Sequence, residues 1–491
     1  MAQGCIPHVL RSFFLRGIVG PCHAHAIQRC SCMIGLSYLR IDVFASAVGV
    51  LWAILVSSIG LFADGYDLMV VDLVLAILST MYPEDMTAEK KGIMVALAYA
   101  GILAGMLFFG VFSDVYGHKT AGLFTSALMV LGCLSAACCT QVESFSLAYQ
   151  LGLCRFFLGL GVGGEYPVSM TIGSGKNAFH EAGVSFTPEQ VLMLNAMLFH
   201  VGSLLAPGLG SILFETGLHR DFIWRALLLF GMIPSVCTFF ARMWLPSHSA
   251  EQAGEDVDIE PCRTAAAFGR REPARGWAYG VGQHWPVLLG CCLTWASQNF
   301  VFFGQASFRS VIEERLFGGM HTDRVQLAHD AHFGLFMTLF AVLGVVFAIA
   351  VVTKIGALWT QLISFFGISA LAGVCAMLLG PVSSSNGVVF LTLCLWNIPL
   401  CTAGAVCYMI PSRSFPAQVQ ATCCGIAAAA AKVGALFGTG LFPLIVRSQG
   451  LPGLMMVNCI AALAGLAAAA LLTPVHLPDP AELAAMKLSA D

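Results

Sequence analysis

Twelve runs of mostly apolar residues, six on each side of one charged segment, leave this chain few ways to fold. They lie near residues 48–80, 92–112, 120–140, 145–172, 191–214 and 223–245, then 285–308, 331–352, 355–379, 387–410, 419–446 and 453–472. A bilayer-crossing helix needs about 20 such residues. Backbone polar groups in hydrocarbon must bond within their own segment, so runs of this length are read as helices. The expected fold is an all-α polytopic membrane protein, with twelve transmembrane helices in two six-helix bundles. The segment between the two sets holds Glu251, Glu255, Asp256, Asp258, Glu260, Arg263, Arg270, Arg271, Glu272 and Arg275. The expected divisions are a cytosolic or targeting leader (1–43), a first bundle (44–246), a cytosolic linker (247–284), a second bundle (285–473) and a cytosolic tail (474–491). Six spans, a linker and six more is the layout of a carrier whose site lies at the midplane between its halves.

Composition agrees. Hydrophobic residues make up 58% and charged residues 10%, whereas soluble domains carry about 25% charged residues. A net charge of −3 gives no sign of a nucleic-acid partner. The 19 cysteines are scattered through apolar runs, as in Cys138-Cys139, Cys291-Cys292 and Cys423-Cys424. They read as small packing residues and not as a disulfide framework. In the leader, Cys22, His23, His25, Cys30 and Cys32 fit no standard zinc spacing, so neither a metal nor a cofactor is expected. An even number of spans puts both termini on one side. His118, Lys119, Lys176, Arg242, the linker arginines, Lys354 and Arg413 mark that side as cytosolic. The expectation is a multi-pass protein of the plasma membrane, or of an organelle membrane.

Ionisable residues within the runs carry the functional signal. Glu165 follows Gly159, Gly161, Gly163 and Gly164 inside an apolar span. An acid in hydrocarbon costs about 2.5–3.5 kcal/mol on insertion scales, so such groups usually face a cavity. Asp64 and Asp67 lie three residues apart on the first run and share a helix face. With Glu165 they are the expected proton carriers. Lys432 stands alone among alanines and glycines, with about ten apolar residues on each side, too deep to reach the interface easily. It needs an acid or an anionic substrate as its partner. Asp114, Gly117, His118 and Lys119 form an acid–turn–base pattern between the second and third spans, expected to latch one conformation. Trp295, Gln298, Asn299 and Gln305 put polar groups on the seventh span, and His200 does so on the fifth. Amides in such helices also serve to join neighbouring helices.

Together these residues resemble the phosphate:proton symporter family of the major facilitator superfamily, from about residue 48 to 472. The most specific piece is Gly163-Gly164-Glu165-Tyr166-Pro167-Val168-Ser169, close to the family's Gly-Gly-Asp-Tyr-Pro-Leu-Ser. Supporting matches are Phe62-Ala63-Asp64-Gly65-Tyr66-Asp67, Trp224-Arg225 with Gly231 and Pro234, Pro411 to Pro416, and the stretch around Lys432. The resemblance implies a major facilitator fold and phosphate bound at the midplane. Tyr166, His200, Trp295, Asn299, Gln305 and Lys432 would line the site, and Asp64, Asp67 and Glu165 would couple protons. The departures are Glu165 for the family's Asp, Asn299 for its pocket Asp, His200 for Gln, Phe303 for Tyr and Gly404 for Asn. Several of them are expected to enlarge the pocket or remove hydrogen bonds. Carriers of glycerophosphodiesters look similar.

The expected function is therefore proton-coupled import of inorganic phosphate by alternating access. The rivals are a carrier of glycerophosphodiesters or another organic anion, and a non-transporting phosphate sensor on the same fold. An enzyme is not expected, because no metal-binding acid cluster, no nucleophile with a positioned base and no phosphate-cradling Gly-Lys-Ser/Thr loop is present. The partners are phosphate or a phosphate-bearing anion, protons and the lipid bilayer, with the chain acting as a monomer.

Overall fold

The computed structural model describes residues 59–142, 145–174, 188–243, 281–307, 323–380 and 385–473. The leader with its Cys/His group, the tail and nearly all of the linker lie outside the described residues. The first half consists of α1 (59–81), α2 (Ala88–Tyr116), α3 (His118–Ala137), α4 (Leu147–Ser174), α5 (Pro188–Glu215) and α6 (Arg220–Met243). The second half continues with α7 (Trp285–Ser307), α8 (Asp323–Ile355), α9 (Ala357–Leu379) and α10 (Asn386–Ser414). The stretch Gln420–Leu472 is two helices, α11 and α12, meeting at Gly450 (φ 70°). Only glycine adopts that backbone easily, and Pro452 then starts α12 where a missing N–H costs nothing. The turn between the expected last two spans thus shrinks to a corner. Ten helices among the described residues are long and apolar enough to cross a membrane, the last of them being this double one. With 59–81 the spans are the twelve expected.

Small residues set the packing within the first half. Gly101 and Gly105 of α2 press on the backbone of α4 at Phe156 and Leu160, and Gly159 and Gly163 of α4 return the contact at Ala98 and Ile102. Backbones this close leave no room for a Cβ on either side, so α2 and α4 move as one body. Tyr66 of α1 donates a hydrogen bond to Leu227 O of α6 (2.8 Å). Arg225 of α6 donates to Ala137 O (2.6 Å) and Cys139 O (2.9 Å), a cation at the C-terminus of α3.

Across the halves, α2 packs on α11 and α5 on α8. Large apolar side chains such as Phe108, Leu131, Phe157, Ile233, Phe366 and Phe437 are exposed on the outside, which is the surface a bilayer covers. On the face opposite the linker, Asp85 accepts hydrogen bonds from Ser146 Oγ (2.7 Å), Leu147 N (3.1 Å) and Lys90 Nζ (3.0 Å). It thereby ties the α1–α2 loop to the first turn of α4.

The Ser146 hydroxyl, with help from Lys90 and Leu147 N–H, holds the Asp85 carboxyl below its ordinary range. A carboxylate depressed in the folded state stabilises above its unfolded pKa, and that stability is lost as pH falls through the folded value. Asp85→Asn is expected to lower the melting temperature of the detergent-solubilised protein at pH 7. The gap to the parent should narrow below about pH 4, as thermal unfolding at the two pH values would show.

Candidate functional site

Between the two halves lies a central cavity of about 60 Å³. Aromatic walls come from Tyr166 on α4, Phe199 on α5, Trp295, Phe302 and Phe303 on α7, and Tyr408 on α10. The polar groups are His200, Gln298, Asn299 and Lys432. Tyr166 and Trp295 stand 6.1 Å apart at their ring centroids, and Trp295 meets Tyr408 edge to face at 6.3 Å.

Lys432 is 2% exposed. Its ammonium donates to the Tyr166 hydroxyl at 3.4 Å, and it lies 4.5 Å from the Phe303 ring centroid and 5.2 Å from that of Tyr166. Ring faces partly compensate a desolvated cation, but no hydrogen-bonded carboxylate does so here. Its acidic neighbour is Asp64 of the other half, whose charge acts on both Lys432 and the Tyr166 hydroxyl. Both carboxylate oxygens of Asp64 are buried without a hydrogen-bond partner. Lys432 thus lines the cavity and Asp64 lies buried behind its wall, from opposite halves, each with bonding capacity to spare.

Asp67 turns away from this centre. It faces the Cys133 thiol (3.7 Å), Gly231 and the charge of Arg155, inside the first half. Arg155 is buried, donates to Asp67 O at 3.5 Å, and leaves its Nη2 without a partner.

Glu165 is not paired with Lys432. Arg242 of α6 holds it in a two-pronged ion pair, Nη1–Oε1 2.6 Å and Nη2–Oε2 2.8 Å, with both side chains fully buried. Thr125 also donates to Glu165, and Arg242 reaches Gly122 O (2.9 Å) and Ser126 Oγ (3.0 Å). Glu165 does not line the cavity; of the flanking glycines, Gly159 and Gly163 admit α2, Gly161 admits α3 and Gly164 lies against both. Arg242 is accordingly an interior residue and not a marker of the cytosolic surface. The longer side chain of Glu relative to Asp is used in this reach across to α6.

The Asp114 latch also has a different partner from the one its spacing suggests. Its carboxylate accepts from Ala421 N (3.0 Å), Thr422 N (2.8 Å) and Thr422 Oγ1 (2.6 Å) at the first turn of α11, in the other half. A carboxylate at a helix N-terminus satisfies orphan N–H groups and meets the positive end of the dipole. His118 instead shares hydrogen bonds with Ser113 (2.7 Å) and Thr171 (3.2 Å), joining α2 to α4. Gly117, at φ 90°, makes the turn between α2 and α3, and Lys119 follows on α3. Arg413–Glu189 (2.9 Å) and Ser169–Tyr408 (2.9 Å) add further polar links between halves.

Of the residues singled out by sequence, Tyr166, His200, Trp295, Asn299 and Lys432 meet around one cavity, with Asp64 acting on it. Asp67 and Glu165 lie within the first half, and Gln305 faces a neighbouring chamber. The pocket is not enlarged at Gly404. A Cβ there would sit 2.8 Å from Gln298 Nε2, so the Gln298 amide fills the space. Gln298 is also bound to Leu400 O (3.3 Å) and accepts from Asn299 Nδ2 (2.8 Å), combining the helix-joining and lining roles. Sequence reading missed Arg155 and Tyr408. Arg155 carried a signal, a lone charge in the same apolar span as Glu165; Tyr408 carried none that distinguishes it from packing.

The Glu165–Arg242 pair generates a stability test. Removing one member strands a buried charge and is expected to cost about 3–5 kcal/mol. Glu165→Gln and Arg242→Gln should each lower the melting temperature strongly, and the double variant should cost less than the two single losses combined.

Comparison with known proteins agrees with this architecture. Residues 52–250 match the family model described as Sugar (and other) transporter. Inorganic phosphate transporter 1-2 of Oryza sativa subsp. japonica is 27% identical over 509 residues, covering 89% of this chain and 93% of that protein. Low affinity inorganic phosphate transporter 1 of Petunia hybrida is 27% identical over 438 residues, covering 79% and 81%. Among solved structures, the proton:xylose symporter XylE bound to 6-bromo-6-deoxy-D-glucose superposes with a TM-score of 0.68 at 18% identity, over 90% of this chain and 99% of that one. A partially occluded inward-open form of XylE from E. coli gives 0.60 at 17% identity, over 85% and 98%. Twelve membrane helices in two bundles with a cavity between them give the chain the major facilitator fold, and proteins named inorganic phosphate transporters are similar to it along most of its length.

Proposed function

We propose that the protein is a proton-coupled carrier of inorganic phosphate that works by alternating access, with its linker and termini in the cytosol. The observation that carries this reading is Lys432, a buried cation facing a small cavity with spare bonding capacity and its balancing carboxylate, Asp64, on the opposite half. The relatives named as inorganic phosphate transporters support the choice of anion.

Without substrate, Asp64 balances Lys432. An entering phosphate takes over the ammonium and accepts from the second amide hydrogen of Gln298 and the Tyr166 hydroxyl, since Asn299 spends both of its own on Trp295 O (3.3 Å) and Gln298 Oε1 (2.8 Å). The cavity then carries excess negative charge, and a proton on Asp64 restores the balance. Anion and proton occupy the central site together because either one alone would leave the Asp64–Lys432 pair with a net charge. Neutral inside, the cavity no longer draws the two halves together through Asp64 and Lys432, and they are free to rock. Asp114 on the first turn of α11 holds the linker face shut until then.

Proteoliposomes test the scheme. Phosphate uptake should rise with an inward proton gradient. Lys432→Ala should reduce both gradient-driven uptake and phosphate–phosphate exchange at least about tenfold, the loss of a buried charged contact. Asp64→Asn should abolish the response to the gradient while exchange survives. Exchange of xylose or glycerophosphoinositol with phosphate ignored would overturn the assignment. Asp114→Ala should make a cysteine placed near Tyr408 react faster with an impermeant thiol reagent added from the linker side.

A further inference from the structure

Next to the central cavity lies a second chamber, with about 40 Å³ open to water centres. Its polar lining is Ser203 on α5, Gln305 on α7, Thr338 on α8 and Asn397 on α10. The two spaces share His200 and Phe302, whose rings meet edge to face with centroids 6.0 Å apart. Gln305 is six residues beyond Asn299 on α7, which is about 9 Å along the helix, away from the linker face. Asn397 precedes Gly404 on the oppositely directed α10 and lies on the same side. The chamber therefore stands between the central cavity and the face opposite the linker, with His200 and Phe302 as the partition.

Its groups divide by what they can still do. The Ser203 hydroxyl lies within bonding distance of Phe199 O (3.0 Å) and Gly65 O (3.2 Å), and Thr338 donates to Gly334 O (2.8 Å). With their hydrogens spent on helix carbonyls, both oxygens can only accept. Gln305 is 6% exposed and makes no hydrogen bond to another described residue. His200 is 7% exposed, and its Nδ1 is buried with no partner. Asn397 uses one amide hydrogen on Leu393 O (2.9 Å), and its other contact is a long one to the Met337 sulfur (3.9 Å). Open donors and open acceptors thus face one small space whose described lining includes no Asp, Glu, Lys or Arg. Buried polar groups without partners are costly, so such a space calls for a ligand that supplies them.

We propose that this chamber is a second binding site for the transported anion, taken as dihydrogen phosphate. This rests on reading the central cavity as a phosphate site. Dihydrogen phosphate both donates and accepts: its P–OH groups meet Ser203 and Thr338, and its charged oxygens meet Gln305, His200 and Asn397. Held by neutral donors, the anion binds more weakly here than beside Lys432, and it passes inward when the His200 and Phe302 rings part. Sulfate carries no O–H at neutral pH and suits the chamber poorly.

Equilibrium binding of radiolabelled phosphate to the full chain in nanodiscs tests this. The parent should bind two phosphates, a tighter and a weaker. Gln305→Leu and the isosteric Thr338→Val should each weaken only the second, at least about tenfold. Lys432→Ala should remove the tighter one, and sulfate should compete mainly there. A single phosphate per chain, lost in Lys432→Ala and untouched by Gln305→Leu and Thr338→Val, would overturn the second site and leave the first standing. No phosphate bound by the parent would overturn both readings.

Discussion

Every ionised group that this chain carries into the bilayer must find its counter-charge inside the protein, and that requirement divides the buried charges into two kinds. Glu165 and Arg242 meet within one half, with matched forks and further hydrogen bonds from Thr125 and to Ser126 and Gly122. Such a pair is fixed, because opening it would leave two desolvated charges. Asp64 and Lys432 belong to different halves and are joined by charge without a hydrogen bond. That balance can change when an anion or a proton arrives. The same chemistry thus serves as internal scaffolding in one place and as an adjustable contact in another, and which one it becomes depends on whether both partners sit in one rigid body.

The fold was largely legible in the sequence, because hydrocarbon permits few solutions and hydropathy reports directly on burial in lipid. The charged segment near 247–283 and the even number of spans gave the two halves. Lys432, Tyr166, Trp295 and Asn299 were legible as cavity residues because polar groups deep in apolar runs have few other reasons to be there. Partner assignment was not legible. Glu165 and Lys432 look complementary on a line of sequence, yet Arg242 reaches the acid first, since α4 and α6 both flank α3 and the lysine lies in the other half. Asp114 shows the same limit. Its nearest base in sequence is His118, but a helix N-terminus over 300 residues away offers two N–H groups and a hydroxyl in better geometry. Gly404 is a third case, where the missing side chain reads as a void until Gln298 is seen to occupy it.

The cavity is selective through what it lacks as much as through what it holds. One cation, the amides of Gln298 and Asn299, the His200 ring and the Tyr166 hydroxyl are its polar groups, and aromatic rings make up much of the remaining wall. Replacing a titratable acid with Asn299 also concentrates the charge of the site on two residues, so electroneutrality depends on a single carboxylate.

The placement of Lys432 and Thr422 on one helix has a mechanical meaning. Ten residues separate them, about 15 Å along a helix axis, with Gly425 and Gly434 seated directly on the backbones of α2 and α7. A helix held this closely behaves as a rod and not as a spring. Its end at the linker face is bolted by Asp114, and its middle carries the buried ammonium of Lys432. Displacement at the lysine therefore becomes displacement at the bolt, without a relay of side chains between them. The ammonium and the Asp114 contact are two points on a single lever.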